Sequence, residues 1–136
     1  MSTTEIINPD GWPAPRGYSN GIIGEGRMLF IGGQIGWTAA NVFEDKTFLG
    51  QFDQALENTL AVLRAAGGDA SHITRMTIYV TNMDAYRTCL RDLGPIWRKH
   101  MGRWYPAMAL VAVTELVEPD ALLEIETTAA LPLEKV

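Results

Sequence analysis

Two periods partition this chain, one near 3.6 residues and one of two. Phe52, Ala55, Leu56, Thr59, Leu60, Leu63 and Ala66 recur on one helical face. Gln51, Asp53, Gln54, Glu57, Asn58 and Arg64 fill the other side. This predicts an amphipathic helix that begins at Gln51 and is stopped by Gly67-Gly68. Residues 73–81 alternate instead. Thr74, Met76, Ile78 and Val80 point one way, and Ile73, Arg75, Thr77, Tyr79 and Thr81 the other. That is a strand with one apolar and one mixed face. Asn82 or Asp84 then caps a second helix from about Ala85, with Tyr86, Cys89, Leu90, Leu93 and Trp97 as its apolar positions. Gly94-Pro95 interrupts it, either as a kink or as a restart with Pro95 in the first turn.

The flanks read as strands and turns. Three prolines, Pro9, Pro13 and Pro15, keep residues 8–16 extended or turning. Residues 18–23 and 28–31 are short apolar runs around a Gly-rich turn, which predicts a β-hairpin running on into Gly32-Gly33-Gln34. Residues 37–50 are irregular and polar, hence a loop. Residues 107–113 are apolar throughout, as in a strand covered on both faces. Residues 122–128 close the pattern with Leu123 and Ile125 on one side and Leu122, Glu124 and Glu126 on the other. The predicted order, ββ-α-β-α-ββ, is an α+β fold with both helices on one face of a single sheet, one domain over residues 1–136. The second sheet face is also partly apolar, and so small a domain has no third layer to cover it. Self-association in a closed symmetric oligomer is the expected solution.

Composition narrows the functional classes. The chain is 136 residues, 47% hydrophobic and 20% charged, enough for one core and incompatible with disorder. Its net charge of −5 argues against binding a nucleic acid. No apolar run approaches the ~18 residues that cross a membrane, and no signal peptide is visible. One cysteine, Cys89, excludes an internal disulfide; it lies on the apolar stripe of the second helix and reads as core. A cytoplasmic protein is the expectation. His72 and His100 lack partners at metal-ligand spacing, and no nucleophile elbow, dinucleotide fingerprint or phosphate loop is present. The segment from Arg98 through Trp104 is the one basic and aromatic patch, and reads as a solvated helix end.

Several segments together resemble one family. They are the NP…AP stretch before Tyr18-Ser19, Gly33-Gln34-Ile35, the helix Gln51…Asn58…Leu63…Ala66-Gly67, Thr77-Ile78-Tyr79-Val80, Asn82-Met83, Tyr105-Pro106-Ala107 and Leu123-Glu124-Ile125-Glu126. In order and spacing they resemble the RidA/YjgF family, also called endoribonuclease L-PSP-like proteins. The resemblance implies a chorismate-mutase-like fold and a homotrimer with small-molecule clefts between subunits. It also implies hydrolysis of a 2-imino acid or its enamine to ammonia and a keto acid. No metal and no cofactor enters that expectation.

The same resemblance locates departures. The family's carboxylate anchor is an Arg directly after Pro-Ala, where this chain has Met108. Gly32 stands where active deaminases usually carry Ser, and Leu110 where Cys is frequent. Glu124 is the expected water-orienting carboxylate, or else an interface salt bridge or a solvated edge. Glu126 reads as solvated. Tyr18 covers a ligand or is a plain strand aromatic, and Met108 lines an apolar pocket or fills core. Gly33 offers its backbone to the cleft, and Trp37 roofs the pocket or anchors its loop. Arg103 and Trp104 are candidates to rebuild the anchor as cation and stacking wall, with Arg16 a weaker one. Arg75 is expected to pair with Glu124 across the sheet. Three functions stay open: hydrolysis of an imine or enamine other than the usual 2-imino acids, ligand binding without turnover, and ribonuclease activity. The acidic balance and the lack of a His-based acid/base pair argue against the last.

Overall fold

The computed structural model describes residues 2–134. A four-stranded sheet is built from β3 (Arg27–Ile35), β4 (Ile73–Val80), β5 (Ala107–Ala112) and β6 (Leu123–Leu131) in the order β3-β6-β4-β5. β6 is antiparallel to both neighbours and β4 is parallel to β5. Helices α1 (Phe48–Ala65), α2 (Met83–Thr88) and α3 (Leu90–Met101) supply the side chains that pack against one face. A separate antiparallel pair, β1 (Thr4–Ile7) with β2 (Gly21–Gly24), lies beside one end of the sheet. The α+β class is as expected. The predicted hairpin is not: β2 pairs with β1, and β3 pairs with β6. Gly26 stands at the turn with φ +139, and a Cβ there would strike the Leu131 carbonyl, so the chain bends past β6 instead of folding back on β2.

Helix α1 starts at Phe48, before Gln51, because its cap lies in the polar loop. The Thr47 hydroxyl accepts from the Gly50 amide at 3.1 Å. Asp45 accepts from the Thr47 hydroxyl and amide at 2.6 and 2.7 Å, and those bonds hold its carboxyl below the usual value. Gln51, assigned by periodicity to the polar side, is fully buried. Its amide donates to the Asp45 and Asp120 carbonyls at 3.3 and 3.0 Å and accepts from the Leu122 amide at 2.8 Å. One side chain thus ties the helix to two loops, and its desolvation is offset by three hydrogen bonds. At the far end Gly67 adopts φ +86, while the Gly67 and Gly68 amides donate to the Arg64 and Leu63 carbonyls at 2.9 Å, the closing pattern predicted from Gly67-Gly68.

The second helical segment breaks earlier than expected. Asn82 caps α2 by accepting from the Ala85 amide at 3.1 Å, and the interruption falls at Cys89, with Pro95 inside α3. In β4 a register shift after Ile73 puts both Ile73 and Met76 in the core, where strict alternation would have placed Ile73 outside. β5 is an edge strand. Met108 and Leu110 pack toward the core, whereas Ala109 and Val111 are exposed, so in the single chain only one of its faces is covered. The open face also carries Phe30, 76% exposed, and Met28.

Candidate functional site

The N-terminal segment is stitched to the edge of β5. Ser19 bridges Ala107; its amide donates to the Pro106 carbonyl at 3.0 Å and its hydroxyl to the Tyr105 carbonyl at 2.5 Å. Gly17, at φ +78, bends the chain just before that stitch. Arg16 and Tyr18 are thereby brought to a pocket of about 390 Å³ shared with Met108 and Leu110 of β5. Phe52 of α1, Tyr86 of α2 and Leu93 and Trp97 of α3 supply its helical walls. Trp97 stacks on Tyr105 with centroids 5.9 Å apart, and its indole donates to the Trp104 carbonyl at 3.1 Å. Burial pushes the Tyr86 phenol up, with the nearby Cys89 adding to the effect, and likewise pushes up the Cys89 thiol, helped by Asp92.

Glu124 belongs to a different surface. Cross-strand partners share a face, and Glu124 is opposite Ile35 on β3 and Tyr79 on β4, with Val111 beyond. Met108 is opposite the buried Met76, on the helix side. The half-buried Glu124 carboxylate fills a notch left by Gly33, where a Cβ would collide with its Oε2, Cδ and Cγ. The β3 register shift between Ile31 and Gln34 makes that notch. Gly32 has open space around it, so its lack of a side chain serves no steric purpose. Tyr79 donates to Glu126 at 3.0 Å; that bond, partial burial and the charges of Glu126 and Glu124 hold the phenol above its usual value.

The remaining expectations sort plainly. Trp37 packs against Phe43 at 5.8 Å, and the Asn58 amide ties the Ile35 and Trp37 carbonyls at 3.0 and 2.7 Å, so Trp37 anchors its loop and lines no part of the Tyr18 pocket. Trp104 donates to the Ile73 carbonyl at 2.9 Å, a structural role, and exposed Arg103 is absent from the pocket wall. Arg75 does not pair with Glu124. It lies opposite Thr128, four residues along β4 from the Tyr79–Glu124 row, roughly 13 Å at strand rise. His100 is not alone: α1 brings Asp53 to 2.5 Å from Nε2 and Glu57 to 3.4 Å from Nδ1, with Lys99 also 2.9 Å from Asp53. Burial raises the Asp53 carboxyl, but hydrogen bonds and charges from Lys99 and His100 outweigh it and leave it below the usual value.

With the fold and these two surfaces in view, the Endoribonuclease L-PSP family model matches residues 12–131. The chain belongs to this family. A RutC family protein of Pyrococcus horikoshii is 30% identical over 131 residues, covering 92% of this chain and 96% of that one. The solved structure of YyfB from Yersinia pestis, a Rid protein family member of unknown function, has a TM-score of 0.80 and 32% identity, covering 95% of this chain and 99% of its own. A Dermatophagoides farinae protein named 2-iminobutanoate/2-iminopropanoate deaminase is 25% identical over 132 residues, covering 96% and 99%.

Within this RidA/YjgF framework the sequence reading missed the pocket walls. Phe52, Tyr86, Leu93 and Trp97 were visible only as helical stripes, and a stripe facing a cavity has the same period as one facing core. Arg16 had one signal, its place two residues before Tyr18. The seating of Glu124 on Gly33 joins distant segments and left no local trace.

Proposed function

We propose that this chain is a RidA-like imine or enamine hydrolase whose substrate, a small reactive metabolite, differs from the short 2-imino acids. The observation that carries the reading is the Glu124 carboxylate held in the Gly33 notch on an open sheet face. A carboxylate so placed can accept a proton from water as that water adds to an imine carbon. The resulting carbinolamine expels ammonia once its nitrogen is protonated, leaving a carbonyl; water in and ammonia out balance the step. Deaminase names among the relatives support the same chemistry. Met108 lines the pocket where the family resemblance implies a carboxylate-anchoring Arg, which is why the substrate is expected to differ.

Neither surface makes a complete site on one chain, because Glu124 and Met108 face opposite sides of the sheet. A homotrimer that sets the open face of one copy against the Tyr18 pocket of the next would complete it, and would cover Phe30 and Val111. A non-catalytic ligand-binding trimer is the second reading, favoured by the apolar character of the pocket itself. Ribonuclease action fits less well. His72 accepts the Asp69 amide and His100 is enclosed by Asp53 and Glu57, so among the described residues neither is placed as a free acid or base.

The test is ammonia release from imines generated enzymatically, with and without a carboxylate. Turnover of a carboxylate-free or aromatic imine, with 2-iminopropanoate left near its uncatalysed rate, is the expected outcome. Deamination of 2-iminopropanoate as fast as by an Arg-bearing relative would overturn the substrate assignment, and silence across the panel from a folded oligomer would favour the binding reading.

A further inference from the structure

We infer that Arg16 is the specificity-determining cation of the Tyr18 pocket, and that the pocket takes a monocarboxylate with an aromatic or branched hydrocarbon body. Arg16 is the one charged residue in the pocket wall, and it forms no ion pair or side-chain hydrogen bond among the described residues. Every other lining side chain is apolar or aromatic, including Phe52, Leu93, Trp97, Tyr105 and Met108. At about 390 Å³ the cavity lies in the ~300–1,000 Å³ range of pockets that enclose ligands far larger than a three-carbon acid.

The placement of Arg16 is built into the fold. Ser19 is fixed to the Pro106 and Tyr105 carbonyls, and Gly17 makes the left-handed bend between that stitch and Arg16. Arg16 is exposed at the mouth, whereas Met108 is half-buried in the wall. The one cation of the pocket wall therefore sits at the rim, above an apolar interior. A small acid bound at the rim leaves the apolar interior wet, and one bound inside leaves its charge unpaired; both lose affinity. A longer ligand escapes the conflict, with its body against the Trp97–Tyr105 stack and its carboxylate in a bidentate contact at the rim. That this ligand is also a substrate rests on the hydrolase reading above; its binding does not.

Calorimetric titration of the full chain with 3-phenylpropanoate, 3-phenylpropanamide and pyruvate tests the assignment, using wild type, Arg16→Gln and Arg16→Lys. Wild type is expected to bind the phenyl acid about tenfold or more tighter than the isosteric amide, a charge-assisted pair's worth, and pyruvate far more weakly. Arg16→Gln should erase the acid-over-amide preference while leaving amide affinity unchanged, and Arg16→Lys should restore part of it. Equal binding of acid and amide by wild type, a preference that survives Arg16→Gln, or no binding of either phenyl ligand overturns the proposal. Binding as predicted without ammonia release from any imine would instead reject the hydrolase reading alone.

Discussion

The helix-side pocket and the open sheet face share strands β4 and β5 but do opposite things for the molecule. The deeper helical walls of the pocket are core residues: Trp97 and Leu93 are each 7% exposed, and Phe52 4%. The open face carries Glu124, Glu126 and Tyr79 in water or half-buried, and contributes little to the cluster that holds the fold. Stability is therefore concentrated where a ligand body would lie, and the ionisable chemistry where packing demands least. A region that need not be stable is free to hold a carboxylate against a bare backbone notch.

That contrast breaks most visibly at Trp97. Trp97→Ala removes a stacked, hydrogen-bonded wall and should cost about 3–5 kcal/mol, read as a large drop in the urea midpoint. Glu124→Gln should shift the same midpoint by no more than about 0.5 kcal/mol. Equal destabilisation by the two variants would contradict the division of labour. Next in size is the glycine pair. Gly33→Ala drives the Glu124 carboxylate out of its notch, and because the displaced atoms end a flexible side chain, the fold should survive with a cost near 1 kcal/mol. Hydrolysis should fall about tenfold or more. Gly32→Ser, with nothing near its Cβ, should leave both stability and rate almost unchanged. Thermal melts alongside ammonia release separate the two positions, and matching losses would show that the notch is not specific to Gly33.

How much of this was legible varies with the range of the interaction. The α1 stripe, its Gly67-Gly68 stop and the β6 alternation depend on neighbours in sequence and were readable directly. The start of α1 was missed because Thr47 and Asp45 act through a cap and not through periodicity. Gln51 was assigned outward because its partners, Asp120 and Leu122, are remote in the chain. The β2–β3 hairpin was wrong for the same reason: two short apolar runs around glycines do not specify which partner wins, and β1 and β6 won. At the site, Tyr18, Met108 and Leu110 do meet, as do Gly33 and Glu124, but sequence gave no sign that the two sets lie on opposite faces of the sheet.

An ion-pair cluster outside both regions adds a pH-dependent contrast. Asp53 joins α1 to α3 through Lys99 and His100, and its carboxyl titrates below the ordinary value. A depressed carboxyl contributes stability that is present above its unfolded pKa of about 4 and is lost as pH falls through the lower folded value. Asp53→Asn should thus destabilise by about 1 kcal/mol near neutrality, a figure reduced for its partial exposure. The gap from wild type should close as the pH falls below about 4. Urea titrations across that window check the sign; a gap that widens toward acid would reverse it.

The most direct test of the central claim is steady-state ammonia release by wild type and Glu124→Gln on the imine that wild type turns over best. If Glu124 activates the attacking water, kcat falls by about 10²–10⁴-fold while the variant keeps its fold and its affinity for 3-phenylpropanoate. A Glu124→Gln protein that releases ammonia at the wild-type rate would remove the carboxylate from the mechanism and contradict the account.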